Sequence, residues 1–130
     1  MAKAHEFLVH IIEDDQQSRK LLYTFLAEMG FRVIESENGQ EALKVFDKET
    51  PDLFLIDIMM PNIGGHELTQ KIRAMKKFEK TPIVMTTALD DAQNIKDSIS
   101  AGANAYVTKP IKLYRLKEKI WGFLDLDDDD

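Results

Sequence analysis

Pro51-Asp52-Leu53-Phe54-Leu55-Ile56-Asp57 is the stretch that decides the fold. Four consecutive apolar residues stand between two aspartates. A strand exposed on one face alternates apolar and polar side chains. A strand covered on both faces has no such alternation, because helices shield each side from water. Pro51 punctuates the start, and Pro61 to Gly65 reads as a loop beyond the end. The spacing predicts a central parallel strand over Asp52 to Asp57 with a carboxylate at its carboxyl end.

Outward from this strand, the period of hydrophobicity alternates between two modes. Phe7 to Ile12 is a short apolar run rich in β-branched residues, a strand by composition. Gln16 to Met29 sets Leu21, Leu22, Phe25, Leu26 and Met29 at helical spacing, and Gly30 stops that helix. Phe31 to Ser36 reads as a strand. Asn38-Gly39-Gln40-Glu41 has the form of a capping box opening a helix with Ala42, Val45 and Phe46. On the other side, a helix is expected from about Glu67 to Met75 and a strand over Ile83 to Thr86. Asp90-Asp91-Ala92-Gln93 caps a helix carrying Ile95 and Ile99, which Gly102 ends. Ala105 to Thr108 is the fifth strand. The last helix, from about Lys112, presents Leu113, Leu116, Ile120 and Leu124 on one face. Five strand–helix units in succession predict an α/β fold, a parallel sheet with helices on both faces.

Composition narrows the function. A chain of 130 residues fits one domain. There is no cysteine, and His5, His10 and His66 lack ligand spacing, so thiolate and zinc sites are not expected. The net charge of −6 is concentrated in Asp125, Asp127, Asp128, Asp129 and Asp130, which leaves the body nearly neutral. No basic stripe suggests direct nucleic-acid binding. No apolar run has the length of a membrane span, and the amino terminus lacks a signal-peptide pattern, so a cytoplasmic location is expected. Residues 1–124 are expected to form the domain and residues 125–130 an acidic, disordered tail.

In open parallel sheets the functional crevice lies outside the carboxyl ends of the strands. Polar residues collect there. The first strand ends in Glu13-Asp14-Asp15, the third in Asp57, the fourth in Thr86-Thr87 and the fifth in Thr108-Lys109-Pro110. Glu35 and Glu37 end the second, but switch-point geometry favours the other four. Carboxylates converging from adjacent strands repel one another and need a cation or protons to coexist. An all-oxygen donor set suits Mg²⁺, which keeps some waters and takes carboxylates plus a phosphate oxygen. The neighbouring lysine is a point charge suited to a phosphoryl oxygen, and aspartate serves elsewhere as a nucleophile giving an acyl phosphate.

With these pieces assembled, the chain resembles the receiver domains of two-component response regulators, of the single-domain, chemotaxis-receiver-like kind, from about Phe7 to about Leu124. The matching segments are Ile11-Ile12-Glu13-Asp14-Asp15, Leu55-Ile56-Asp57-Ile58-Met59-Met60-Pro61, Met85-Thr86-Thr87-Ala88 and Ala101 to Pro110, which contains Tyr106-Val107-Thr108-Lys109-Pro110. The resemblance implies a flavodoxin-like five-stranded sheet of order 2-1-3-4-5. It implies Asp57 as phosphoacceptor, with Glu13, Asp14, Asp57 and the Met59 backbone carbonyl around Mg²⁺, or Mn²⁺ in its place. Asp14 would be the direct ligand and Glu13 would act partly through water. Thr87 and Lys109 would be the catalytic pair that follows and neutralises the phosphoryl group, Tyr106 the aromatic switch, and Lys109–Pro110 a cis peptide. The implied partners are a histidine kinase or histidine phosphotransfer protein, and a downstream protein target. The implied chemistry is the domain's own phosphorylation and slow dephosphorylation rather than turnover of a separate substrate.

Some positions depart from the pattern. Gly64 stands where many members carry aspartate before the loop glycine, Gly65. Met59 and Leu89, two residues after Asp57 and Thr87, are apolar and cannot orient a water by hydrogen bonding, so slow self-dephosphorylation is expected. Met59 also argues against an aspartyl-nucleophile phosphatase, which carries a second Asp there. A receiver-shaped binding module that is never phosphorylated is the remaining alternative, although both the acidic pair and the lysine are present. Bland roles are expected elsewhere: His10 as a structural histidine of the first strand, Trp121 as a packing aromatic of the last helix, and Met59-Met60 as core and loop packing.

Overall fold

A computed structural model describes residues 2–88 and 92–126. Five strands alternate with five helices: β1 (Leu8–Ile12), α1 (Gln16–Glu28), β2 (Arg32–Ser36), α2 (Gly39–Val45), β3 (Leu53–Asp57), α3 (Gly65–Arg73), β4 (Ile83–Thr87), α4 (Ala92–Ala101), β5 (Ala105–Thr108) and α5 (Leu113–Phe123). The strands form one sheet in the order β2-β1-β3-β4-β5, and every pairing is parallel. The fold is flavodoxin-like, as the resemblance implied. The switch point lies between β1 and β3, whose connections leave to opposite sides.

Register places the core on both faces of the sheet. Val9 and Ile11 of β1, Leu53 and Leu55 of β3, Val84 of β4 and Val107 of β5 pack with Leu22 and Leu26 of α1 and Leu116 and Ile120 of α5. Phe54 and Ile56 of β3 and Ile83 and Met85 of β4 turn the other way, against Ala42, Leu68, Ile72 and Phe78. All five residues of β1, β3 and β4 are buried, which explains why their apolar residues do not alternate with exposed polar ones. Phe46, Phe54 and Phe78 meet edge to face, with centroids 5.2 to 5.6 Å apart.

The structure adds or moves several features. Asn38 caps α2, its side chain accepting from the Glu41 N–H at 2.8 Å, but Glu41 turns to Lys44 at 3.1 Å. α3 begins at Gly65, two residues earlier than expected, because the chain enters the helix directly from the loop through Gly64 with no side-chain cap. Two short 3-10 turns, Ala4–Glu6 and Lys76–Phe78, carry no periodicity that would announce them. Ala4 and Leu126 are buried in the α1/α5 core. The Ala2 N–H donates to the Asp125 carbonyl at 3.0 Å. Residues 125 and 126 therefore pack with the body, while 127–130 and the expected Asp90-Asp91 cap lie outside the described residues.

Candidate functional site

Three loops leaving β1, β3 and β5 bring the polar residues together. Glu13 follows the last residue of β1, Asp57 ends β3, and Lys109 follows β5. Carboxylate oxygens of Glu13, Asp14 and Asp57 lie within 4.8 Å of one another. Lys109 Nζ stands 2.8 Å from Glu13 Oε1 and 3.3 Å from Asp57 Oδ1. Glu13 is 1% exposed and Asp57 3%, whereas Asp14 is open to solvent. One carboxylate therefore faces outward above two that are sunk beside an ammonium.

Electrostatics follow from that burial. Desolvation pushes the Asp57 carboxyl upward, to about 8, and the Glu13 carboxylate beside it pushes the same way against the pull of Lys109. Burial alone would pull Lys109 down, but Glu13 and Asp57 together outweigh it and its ammonium is held above the usual range. Metal-free, the cluster carries more negative charge than one lysine balances. Glu13 Oε1 is buried and meets the Lys109 ammonium at 2.8 Å. A small divalent cation fits this donor set: it supplies the missing positive charge and accepts hard oxygen ligands.

The backbone holds the site tightly. The Met59 N–H donates to Asp57 Oδ1 at 3.3 Å. The Met59 side chain is 61% exposed, contrary to the packing role expected for it, whereas Met60 packs against the second core cluster. Ile58, directly after β3, is still buried, and the Met59 side chain beyond it meets water. Gly65 N–H donates to the Ile58 carbonyl at 2.9 Å. A Cβ at Gly65 would fall 2.4 Å from the Asp57 carbonyl oxygen, so only glycine lets α3 start this close to the phosphoacceptor candidate.

Thr87 is buried at the end of β4, and its carbonyl accepts from the Lys109 N–H at 2.7 Å. Met85 pairs with Tyr106 and Thr87 with Thr108, and side chains two apart on a strand share a face. Thr87 and half-buried Tyr106 therefore lie on the same side of the sheet. The Lys109–Pro110 peptide is cis. Leu89 is outside the described residues. His10 is fully buried, donating or accepting at Ser36 Oγ over 2.8 Å, and sits between Phe46 and Phe54. Trp121 meets Phe31 edge-on at 5.9 Å.

Sequence reasoning overlooked two groups near the site. Arg19 of α1 donates to the Glu13 carbonyl, and His66 of α3 meets Ser98 of α4 at 2.9 Å. Both are contacts between separate elements, which helical spacing does not signal.

The family described as the response regulator receiver domain matches residues 9–121. A probable transcriptional regulator of Guillardia theta is 38% identical over 86% of this chain and 43% of its own length. The chain thus spans less than half of that relative. The chemotaxis protein CheY4 of Vibrio cholerae superposes with a TM-score of 0.87 at 25% identity, over 95% of this chain and 100% of that one. The receiver domain of a sensor histidine kinase of Pseudomonas aeruginosa, with a magnesium ion coordinated in its active-site cleft, gives 0.83 at 25% identity over 90% and 96%.

Proposed function

Because the chain belongs to the response regulator receiver domain family, we propose that it is a phosphorylation-dependent signalling switch with Asp57 as the phosphoacceptor. The observation that carries this reading is the buried Asp57 carboxylate flanked by Lys109 at 3.3 Å and by the Glu13–Asp14 pair. A histidine kinase or phosphotransfer protein presents phosphohistidine at the strand ends. An Asp57 oxygen forms the new P–O bond as the P–N bond breaks, and the imidazole leaves with the electron pair. Lys109 neutralises charge on the transferring group, and the walls of the crevice hold Asp57 in place.

Glu13, Asp14, Asp57 and the Met59 carbonyl would hold Mg²⁺, or Mn²⁺, which supplies charge neutralisation at the phosphoryl oxygens. Thr87 then turns toward the phosphoryl group and Tyr106, on the same face of the sheet, fills the space it leaves. The outcome is a shift between two packings of β5 and the flanking helices, presented to a downstream protein. Apolar Met59 and Leu89 orient no water toward the acyl phosphate, so decay is slow. Met59→Asn/Leu89→Glu should shorten the phosphorylated lifetime, and an unchanged decay rate would count against this part of the reading.

The test is intact mass after incubation with acetyl phosphate and Mg²⁺, beside Asp57→Asn and a metal-free control. One added phosphoryl group on the wild type alone, and only with metal, is expected. An adduct of equal yield on Asp57→Asn would move the phosphoacceptor elsewhere. Folded wild type that gives no adduct from acetyl phosphate or from a phosphohistidine donor would favour a binding module.

A further inference from the structure

A second cation reaches the acidic loop from α1 and has no part in the mechanism above. Arg19 Nη1 donates to the Glu13 carbonyl oxygen at 2.8 Å, and its Nε donates to Glu35 Oε1 at 3.1 Å. The Arg19 side chain is 14% exposed, the Glu35 side chain 42%. The guanidinium therefore bridges the end of β1 to the end of β2, beneath the residues that carry the carboxylates.

We propose that Arg19 is a positioning residue for the metal-holding pair, acting through the Glu13–Asp14 peptide. Three hydrogen bonds hold the loop on either side of that peptide without it. Glu13 N–H donates to the Ser36 carbonyl at 3.1 Å. Asp15 N–H donates to Glu13 Oε2 at 3.1 Å. The Asp15 carboxylate caps α1 through the Ser18 N–H at 2.8 Å. Between them lies the Glu13–Asp14 peptide, whose oxygen Arg19 grips. Asp14 is exposed, so no packing fixes its direction; the backbone on either side and its contact with Asp57 do.

The choice of acceptors matters as much as the grip. A guanidinium placed on the carboxylates themselves would neutralise them and compete with a divalent cation. Here one donor ends on a backbone oxygen and the other on Glu35, so the carboxylate oxygens are left to the crevice. Lysine cannot reproduce this, because an ammonium is a point donor without the planar fork that spans two acceptors. Residues that orient ligands from behind typically change metal affinity by about 10–100-fold when removed.

The inference rests on the metal-dependent reading above, and the experiment separates the two. Mg²⁺ is titrated by isothermal calorimetry into the wild type, Arg19→Met, Arg19→Lys and Arg73→Lys, with thermal stability recorded for each. Arg73 lies at the far end of α3 and serves as a variant that loses stability without touching the acidic loop. Arg19→Met is expected to bind Mg²⁺ about 10–100-fold more weakly, Arg19→Lys to fall between it and the wild type, and Arg73→Lys to bind as the wild type. Wild-type affinity in Arg19→Met overturns the proposal, as does an equal loss in Arg73→Lys. Should Arg19→Met fail to fold, wild-type affinity in Arg19→Lys overturns it. A wild type that takes up no Mg²⁺ at all overturns the underlying metal reading instead.

Discussion

Burial and the neighbouring Glu13 disfavour the charged form of Asp57. Its carboxyl is raised from an ordinary 3.8 to about 8 by burial and by Glu13. A group whose folded value is raised contributes stability that is complete below the unfolded value and lost as pH rises through the folded one. The metal-free protein should therefore lose stability from about pH 4 toward pH 8 through this residue. His10 acts in the opposite sense: burial lowers its imidazole from 6.5 to about 4. Its contribution is present above 6.5 and lost as pH falls through 4. Urea titrations across pH 4–9 should show an acid limb that His10→Leu flattens and an alkaline decline that Asp57→Asn removes. Asp57→Asn should also be more stable than the wild type at pH 8 without metal, since the amide carries no charge to bury beside Glu13. Gly65 makes a steric demand of the same locality. Gly65→Ala would press a methyl group against the Asp57 backbone, and a loss of about 1–3 kcal/mol is expected by chemical denaturation.

Among the elements, α3 is fastened at both ends by different means. Its start is fixed by the close approach of Gly65 to β3. Its end is fixed by Arg73, which donates to the carbonyls of Gly102, Phe78 and Thr81 at 2.7 to 2.9 Å and to Asn104 Oδ1 at 2.7 Å. Asn104 Oδ1 in turn accepts from the Ile83 N–H at 2.8 Å, the first residue of β4. One guanidinium thus joins α3 to the turns that enter β4 and β5. Gly102 has φ 114, and a Cβ there would meet Arg73 Cγ at 2.6 Å, so that turn is shaped around the arginine. Arg73→Ala leaves several carbonyls without their donor and should cost about 1–3 kcal/mol, read as a lower urea midpoint at unchanged slope. At the other end of the helix, Gly64→Asp would restore an N-cap acceptor at extended backbone, φ −72 and ψ 167. A gain of about a few tenths of a kcal/mol is expected in thermal melts with Mg²⁺ present.

The whole molecule divides its two poles between chemistry and fastening. Carboxylates and lysine gather at the carboxyl ends of the strands. The amino-terminal segment and the residues after α5 meet through the Ala2–Leu126 bridge. Under the reading proposed above, Mg²⁺ binds the folded protein and not the unfolded chain. At a hundredfold excess over its dissociation constant it should then stabilise by about 2.7 kcal/mol. The metal displaces protons held by the acidic cluster, so the gain in melting temperature should grow as pH rises from 6 to 8. A melting temperature insensitive to Mg²⁺ across that range would remove the metal from the account.

The order of elements and the place where the candidate residues gather were legible in the amino-acid sequence. Burial on both faces is written into a strand as an unbroken apolar run, as in Leu53 to Ile56, and capped helices are written as spacing and punctuation. A parallel sheet then sends Glu13, Asp57, Thr87 and Lys109 to the same end of the sheet, beyond the carboxyl termini of their strands. What tertiary structure decided is how those residues face one another. The Lys109–Glu13 ion pair joins positions far apart in the chain. The close approach of Gly65 to Asp57, the outward turn of Met59, the reach of Arg19 to the Glu13 carbonyl and the junction at Arg73 all depend on register and loop path. Local pattern encodes which side chains leave water, whereas partners across elements are chosen only when the sheet has closed and the loops have taken their course.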